Sequence, residues 1–204
     1  MIHNLSAESV NIGDYITFGS YEQDNNLENG PEAIEWSVID KQENKVLLIS
    51  RYALDNKEYT SNPDGATWET SDLRQWLNGE FFGTAFSEEE QSAVQTTLIK
   101  DKATKRVPNP GNPTEDKVFA LSRKELESYF KNKYHRLCKA TPYTVAKLLS
   151  KYNIHDEEEA EQAWWFLRST CQNTYDAEGV GDMGEIYGVD ILTVRPVLWL
   201  ELNG

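Results

Sequence analysis

Trp164-Trp165-Phe166-Leu167-Arg168-Ser169, and after it Val194-Arg195-Pro196-Val197-Leu198-Trp199-Leu200, are the two stretches that decide the fold class. Both are rich in aromatic and branched residues, which is typical of β-strands. Pro196 cannot donate a backbone hydrogen bond, so we expect it at a sheet edge or a bulge. The segment between the two stretches is predicted to be a loop, because four glycines punctuate it: Gly179, Gly181, Gly184 and Gly188.

The first quarter of the chain also predicts strands. Ile34, Trp36 and Val38 alternate with polar neighbours, which is the period of a half-buried strand, and residues 46–49 form a continuous apolar run. The polar residues 40–45 between them predict a hairpin connection. Strands, then helices, then strands again indicate an α+β fold. We expect the N- and C-terminal strands to pair, so that both ends of the chain lie close together.

The middle of the chain predicts helices. Ser87-Glu88-Glu89-Glu90 and Ser122-Arg123-Lys124-Glu125 are capping boxes, in which the serine and the glutamate each satisfy a backbone amide of the first helical turn. Thr141-Pro142 is a cap followed by proline at the first helical position. On the helix after Ser87, the spacing predicts that Val94 and Leu98 face inward.

The segment between the first two capping boxes predicts a long loop and a short strand. Residues 100–116 carry three prolines and one glycine among polar residues, which indicates a loop, and a loop of this length is often functional. Residues 118–121 predict a strand.

Composition excludes several classes of function. The formal net charge of −14 repels phosphate backbones and anionic membranes, so we expect no nucleic-acid and no membrane binding. No apolar run is long enough to span a bilayer, and residues 1–5 show no signal-peptide pattern. The sequence as written therefore predicts a soluble cytoplasmic protein, although an exported protein without its leader would look the same. We interpret residues 1–204 as one domain with a frayed extension over residues 1–11.

Four separated motifs carry a resemblance to a known family. Residues 13–23 (Gly-Asp-Tyr-Ile-Thr-Phe-Gly-Ser-Tyr-Glu-Gln), 68–78 (Trp-Glu-Thr-Ser-Asp-Leu-Arg-Gln-Trp-Leu-Asn), 116–122 (Asp-Lys-Val-Phe-Ala-Leu-Ser) and the tail from Trp164 onward occur in order. Together they resemble the bacterial family DUF6273. This family has no assigned function, so the resemblance implies a shared fold and no activity.

The tail is also similar to the C-type-lectin-like fold, which includes the formylglycine-generating enzymes. That resemblance implies a small, twisted, mostly antiparallel sheet flanked by helices, with an irregular region that presents a binding face. The Glu-Pro-Asn or Gln-Pro-Asp and Trp-Asn-Asp triplets of calcium-dependent lectins are absent. The cysteine pair of the formylglycine-generating enzymes is not matched either, because Cys138 lies far upstream of Cys171.

No pattern for catalysis stands out. Gly-x-Ser-x-Gly is absent, and His135 and Cys138 are spaced to share a helix face but are typical of a surface histidine and a structural thiol. A thiol-dependent oxidase that uses Cys138 or Cys171 is therefore the alternative, and a structural interaction domain is the third hypothesis. The leading hypothesis is a non-catalytic module that binds a small molecule, a glycan or a protein partner.

The predicted binding face is built around residues 170–188. Trp and Tyr are enriched at recognition surfaces, and an arginine can bind a carboxylate with two hydrogen bonds. For Arg168 and Arg195 we favour an internal carboxylate over a ligand. The predicted binding residues are Trp68, Trp165, Arg168, Tyr175, Asp176, Tyr187 and Arg195.

The same segment offers hard oxygen ligands in a glycine-rich loop, which suit calcium. We predict no cofactor, and calcium is the ion that this set would bind. EF-hand spacing is not met, and a solvated loop is the competing interpretation. The candidate ligands are Asp176, Glu178, Asp182 and Glu185.

Overall fold

The computed structural model describes Ser6 and residues 8–62, 64–152, 156–171, 177–189 and 191–202. The strands in these residues are β1 Tyr15–Tyr21, β2 Glu32–Gln42, β3 Lys45–Ser50, β4 Asp55–Glu58, β5 Thr97–Ile99, β6 Thr114–Asp116, β7 Trp165–Thr170, β8 Ala177–Val180, β9 Ile186–Val189, β10 Ile191–Val194 and β11 Val197–Glu201. The α-helices are α1 Asp72–Trp76, α2 Phe82–Ala85, α3 Glu88–Ala93, α4 Arg123–Tyr129, α5 Pro142–Lys151 and α6 Glu157–Glu161. A π-helical turn, Leu77–Phe81, joins α1 to α2, and a 3₁₀ turn covers Lys133–Arg136. The fold is α+β, as predicted.

The first sheet has the order β1-β2-β3-β11, and its pairs are all antiparallel. The predicted hairpin joins β2 to β3, and Glu43 takes a φ of 45° in its turn. The prediction that the two terminal strands pair is wrong, because β1 and β11 lie at opposite edges of this sheet. β11 pairs instead with β3, whose residues Val46 and Leu48 are 0% exposed and need a partner strand that is equally apolar.

A corner connects this sheet to a second one. Ser50 N–H donates to Pro196 O (3.0 Å) and Leu54 N–H donates to Val194 O (2.9 Å), so the two chain segments stay side by side through the corner. Pro196 lies in the connection between β10 and β11, rather than at a sheet edge or in a bulge as predicted. The second sheet has the order β4-β10-β7-β8-β9, antiparallel except between β7 and β10. One small sheet was expected, whereas the described residues form two large sheets and the short β5–β6 pair.

The core between these layers is aromatic. Trp36 and Trp165 are both 0% exposed, and Phe81 and Phe86 pack with ring centroids 6.0 Å apart. The Trp36 indole donates to Phe18 O at 2.7 Å, so its one polar group is satisfied inside the core.

The capping predictions are confirmed at three helices. Ser87 and Ser122 form complete capping boxes, and the Thr141 side chain caps α5. The helix after Ser87 ends earlier than predicted, at Ala93. Val94 is extended, and Gln95 N–H donates to Trp199 O at 2.8 Å, so the chain leaves the helix to follow β11.

Two predictions for the following segment are wrong. Leu98 lies in β5 and is 64% exposed, so it does not face inward. Residues 118–121 contain only an isolated bridge between Phe119 and Val197, and the strand forms earlier, at Thr114–Asp116, where it can pair with β5.

The described part of the N-terminal segment is anchored rather than frayed. Val10 is 3% exposed, and Lys41 Nζ donates to its carbonyl at 2.8 Å. Residues 1–5 and 7 of the predicted extension lie outside the described residues. Among the helices of the described residues, none has the length and apolarity that a bilayer crossing requires.

Replacing Leu198 tests whether β11 is part of the buried core. Leu198 is 0% exposed, so Leu198→Ala should lower the free energy of unfolding by about 2–5 kcal/mol through a cavity in the core. The matched change Leu27→Ala removes a side chain that is 76% exposed and should alter stability by about 0.5 kcal/mol or less. Urea unfolding followed by circular dichroism measures both. Equal losses for the two variants would contradict the assigned position of β11.

Candidate functional site

A cavity of about 790 Å³ lies beside the end of β7. Its roof is the segment between β5 and β6, residues 100–113, which we call the cover loop. The start of α4, the end of β7 and Glu178 of β8 supply the opposite wall. This is the long loop that the sequence predicts, shortened at its C-terminal end by β6.

The cover loop is fastened at its far end to the segment before α1. Asn112 donates to the Glu69 carboxylate from its backbone N–H (3.0 Å) and its side chain (3.1 Å), and these hydrogen bonds hold the pKa of Glu69 below its usual value. Gly111 has a φ of +84°, and a Cβ there would lie 2.6 Å from Thr67 Oγ1. Only glycine fits this close approach, which fixes the direction of the loop.

Arg168 fastens the near end of the cover loop. Its guanidinium is almost fully buried, and it donates to Asp101 of the loop from Nε (2.7 Å) and Nη2 (2.9 Å). The same group donates to Glu125 of α4, with Nη2 to Oε1 at 3.0 Å, and to Ala120 O at 2.9 Å. Burial alone would lower the pKa of Arg168, but the two carboxylates outweigh it and raise the pKa above its usual value. Arg168 is therefore a permanent cation that ties together β7, α4 and the cover loop.

A second buried charge lies in the same wall. Glu178 is 2% exposed and accepts from Arg123 Nε at 2.9 Å. Arg106 of the cover loop adds an ion pair at 3.5 Å. Two ion pairs thus link the loop to the sheet. The sheet supplies the cation in one pair and the carboxylate in the other.

The lining of the cavity has a charge opposite to that of the whole chain. It contains six basic and four acidic residues, a net of +2, whereas the formal net charge of the chain is −14. Buried arginines and the carboxylates that pair with them neutralise each other, so the excess lies with exposed lysines of the lining such as Lys102 and Lys124. A cavity of this kind attracts small anions.

The structure separates the residues of the predicted binding face. Trp68, Arg168 and Glu178 line the cavity together, although Trp68 is 3% exposed and its indole donates to Asp116 at 2.8 Å. Tyr187 is 40% exposed and stacks on Trp164 with ring centroids 5.5 Å apart, outside the lining of the cavity. Tyr175 and Asp176 lie outside the described residues.

Trp165 and Arg195 belong to the core. Trp165 is 0% exposed and its indole donates to Arg136 O at 3.1 Å, so the expectation that its ring supplies contact area is wrong. Strand geometry points Trp164 and Trp165 to opposite faces, and Trp164 is the partly exposed one. Arg195 lies 5.1 Å from the Trp165 ring centroid and donates to Ser50 O at 2.8 Å. Arg195 therefore serves an internal role, as favoured from the sequence, but its partners among the described residues are a carbonyl and aromatic rings instead of a carboxylate.

The predicted calcium ligands do not converge in the described residues. Glu178 is occupied by arginines, Asp182 is exposed, and Glu185 pairs with Lys133 at 2.8 Å. Carboxylates with oxygens close enough for one ion occur elsewhere, at Glu22, Asp24 and Glu32.

Cys138 shows no feature of an activated thiol. Cys138 Sγ donates to Arg51 O at 3.4 Å, and burial raises the pKa of its thiol although the Arg195 guanidinium opposes the shift. A nucleophilic thiol requires a lowered pKa. Neither Cys138 nor Cys171 forms a disulfide bond.

Sequence reasoning missed the partners that build the cavity: Asp101, Arg106, Arg123 and Glu125. Glu125 had a visible role as the second half of a capping box, and it performs that role while also binding Arg168. The sequence also shows that the long loop begins with charged residues. It does not show which distant residues these charges pair with.

The fold and the cavity define an α+β protein with a charged cavity under a fastened loop. Comparison with known families places the chain more closely: the family described as "Domain of unknown function (DUF6273)" matches residues 43–202. The chain therefore belongs to this family, as the sequence motifs indicated; three of the four motifs lie within the matched residues, and residues 13–23 precede them. No curated protein and no solved structure matches the chain.

Removing Arg168 tests whether it organises the site. Arg168→Leu leaves Asp101 and Glu125 without their cation, so it should lower the free energy of unfolding by about 3 kcal/mol, the lower end for a broken buried ion pair. The lower end applies because the carboxylate side chains are 27% and 33% exposed. The matched change Arg51→Leu breaks a surface pair with Glu35 and should cost about 1 kcal/mol or less. Chemical denaturation measures the free energy of unfolding of both variants. A loss of stability in Arg168→Leu no larger than in Arg51→Leu would contradict this role.

Proposed function

We propose that this protein is a non-catalytic ligand-binding module that holds a small organic anion in the cavity under the cover loop. The observation that carries the proposal is a cavity with a net positive lining in a strongly acidic chain. Its volume of about 790 Å³ lies within the range of about 300–1,000 Å³ that is typical of small-molecule sites.

The arrangement of charges supports binding to a preformed site. Arg168, Arg123 and Glu178 are held by partners on both walls, so they lose little freedom when a ligand enters. Apolar surface from Leu47, Ile99 and Phe119 lines the same cavity and would bury the carbon skeleton of the ligand.

A small anion is favoured over a polymeric one. A nucleic acid or an anionic membrane would meet the acidic remainder of the surface, where repulsion outweighs a local excess of two positive charges. A small molecule samples only the field inside the cavity.

The alternatives have less support. A thiol-dependent oxidase needs an activated cysteine, whereas burial raises the pKa of Cys138. A structural interaction domain is the second candidate, and it is favoured by exposed apolar side chains near the β8–β9 turn: Tyr134 is 64%, Met183 56% and Tyr187 40% exposed. The C-type-lectin-like fold also remains a proposal, supported by terminal strands that share one sheet.

A thermal-shift screen with matched anionic, neutral and cationic small molecules tests the proposed function. We expect anionic compounds alone to raise the melting temperature. Isothermal titration of a hit should then show affinity about tenfold weaker for Lys102→Glu/Lys124→Glu, because two reversed charges in the lining remove roughly 1.4 kcal/mol of attraction. The control Lys131→Glu/Lys139→Glu makes the same charge change outside the cavity lining and should keep the affinity. Equal weakening by both double variants would place the ligand elsewhere.

A further inference from the structure

A second cavity lies beside β4, at the edge of the second sheet opposite to β9. It has a volume of about 450 Å³ and lies between α1, which contributes Trp76, and α5, which contributes Lys147. Asn56 and Lys57 of β4 form its floor. None of these residues lines the cavity under the cover loop, so the two cavities are separate.

Two residues that line this second cavity, Trp76 and Asn56, each carry a buried polar atom without a hydrogen-bond partner among the described residues: Trp76 Nε1 and Asn56 Oδ1. Trp76 is 9% exposed and Asn56 is 4% exposed. The Asn56 amide is oriented, because its Nδ2 donates to Leu192 O at 3.0 Å and leaves Oδ1 as the unsatisfied acceptor. Buried polar groups are nearly always satisfied in folded proteins, so an unpaired donor and an unpaired acceptor on two residues that line one cavity indicate a missing partner.

The second cavity is bordered by charges of both signs. Lys147 binds the buried Asp55 carboxylate, and Lys151 Nζ lies 2.9 Å from Glu58 Oε1. Lys57 Nζ lies 4.7 Å from the centroid of the Trp76 ring and 4.0 Å from Glu80 Oε1. A pair at that distance near the surface is weak, so the Lys57 side chain can reorient toward a bound ligand.

The backbone at this place is also unusual. The π-helical turn Leu77–Phe81 begins directly after Trp76. Such turns interrupt α-helices at a cost in stability and are frequent at functional sites.

These four observations restrict the chemistry of the ligand. A simple anion would satisfy the Trp76 N–H but leave Asn56 Oδ1 unpaired, and a simple cation would do the reverse. A zwitterion satisfies both and also meets the mixed charges of the wall. We propose that this second cavity binds a free α-amino acid: its carboxylate accepts from Trp76 Nε1–H and Lys57, and its ammonium group donates to Asn56 Oδ1 and Glu58.

Titration of the ¹⁵N-labelled full chain with L-alanine tests this site by NMR. The indole N–H resonance of Trp76, assigned by its loss in Trp76→Phe, should shift and saturate at millimolar L-alanine. Acetate and methylamine, which each carry half of the zwitterion, should shift it at least tenfold less at the same concentration. Affinity from calorimetry should fall at least tenfold in Trp76→Phe and stay unchanged in Trp164→Phe, which makes the same change at a tryptophan outside this cavity.

Three outcomes would overturn the proposal. The first is an indole resonance that does not move with L-alanine and shows contact with water alone, and the second is an equal response to acetate. The third is an affinity that Trp76→Phe leaves intact. The Lys102→Glu/Lys124→Glu variant should bind L-alanine normally, so failure of the site under the cover loop and failure of this one are distinguishable.

Discussion

The buried guanidinium of Arg168 is the interaction on which the candidate site depends. It forms ion pairs with two carboxylates, Asp101 on the cover loop and Glu125 on α4. Its own strand, β7, belongs to the second sheet. A buried cation without partners would be too costly to keep, so the fold requires both carboxylates in place. These two partners hold the cover loop and α4 next to β7, and residues of all three elements line the cavity.

Other contacts extend this arrangement through the molecule. Tyr59 O–H donates to the backbone carbonyl of Arg168 at 2.9 Å, which links β7 to the segment before α1. Arg74 Nε and Trp68 Nε1 both donate to Asp116 at the end of β6, at 2.6 and 2.8 Å. These hydrogen bonds therefore restrain β6 and β7 and connect them to α1 and the segment before it. The fold couples the position of the cover loop to the packing of the core.

The sequence predicted the features that depend on local chemistry. Capping boxes at Ser87 and Ser122 follow from interactions within one turn, and the alternation of β2 follows from burial of one face. Features that depend on distant partners could not be predicted. The sequence does not show that Arg168 would find Asp101, 67 residues away, or which of Trp164 and Trp165 would face the core. The terminal strands were misplaced for the same reason, because strand order depends on which apolar runs match across the whole chain.

Limited digestion with trypsin measures the central claim most directly, because the cover loop carries Lys100, Lys102, Lys105 and Arg106 as cleavage sites. Cleavage in a folded protein requires local opening, so a loop held by Arg168 should be cut slowly. In Asp101→Asn, which weakens the charged hydrogen bonds to Arg168, cleavage at these four sites should accelerate about tenfold or more, while cleavage at Lys139 stays unchanged. Equal cleavage rates of the cover loop in the wild type and in Asp101→Asn would contradict the account.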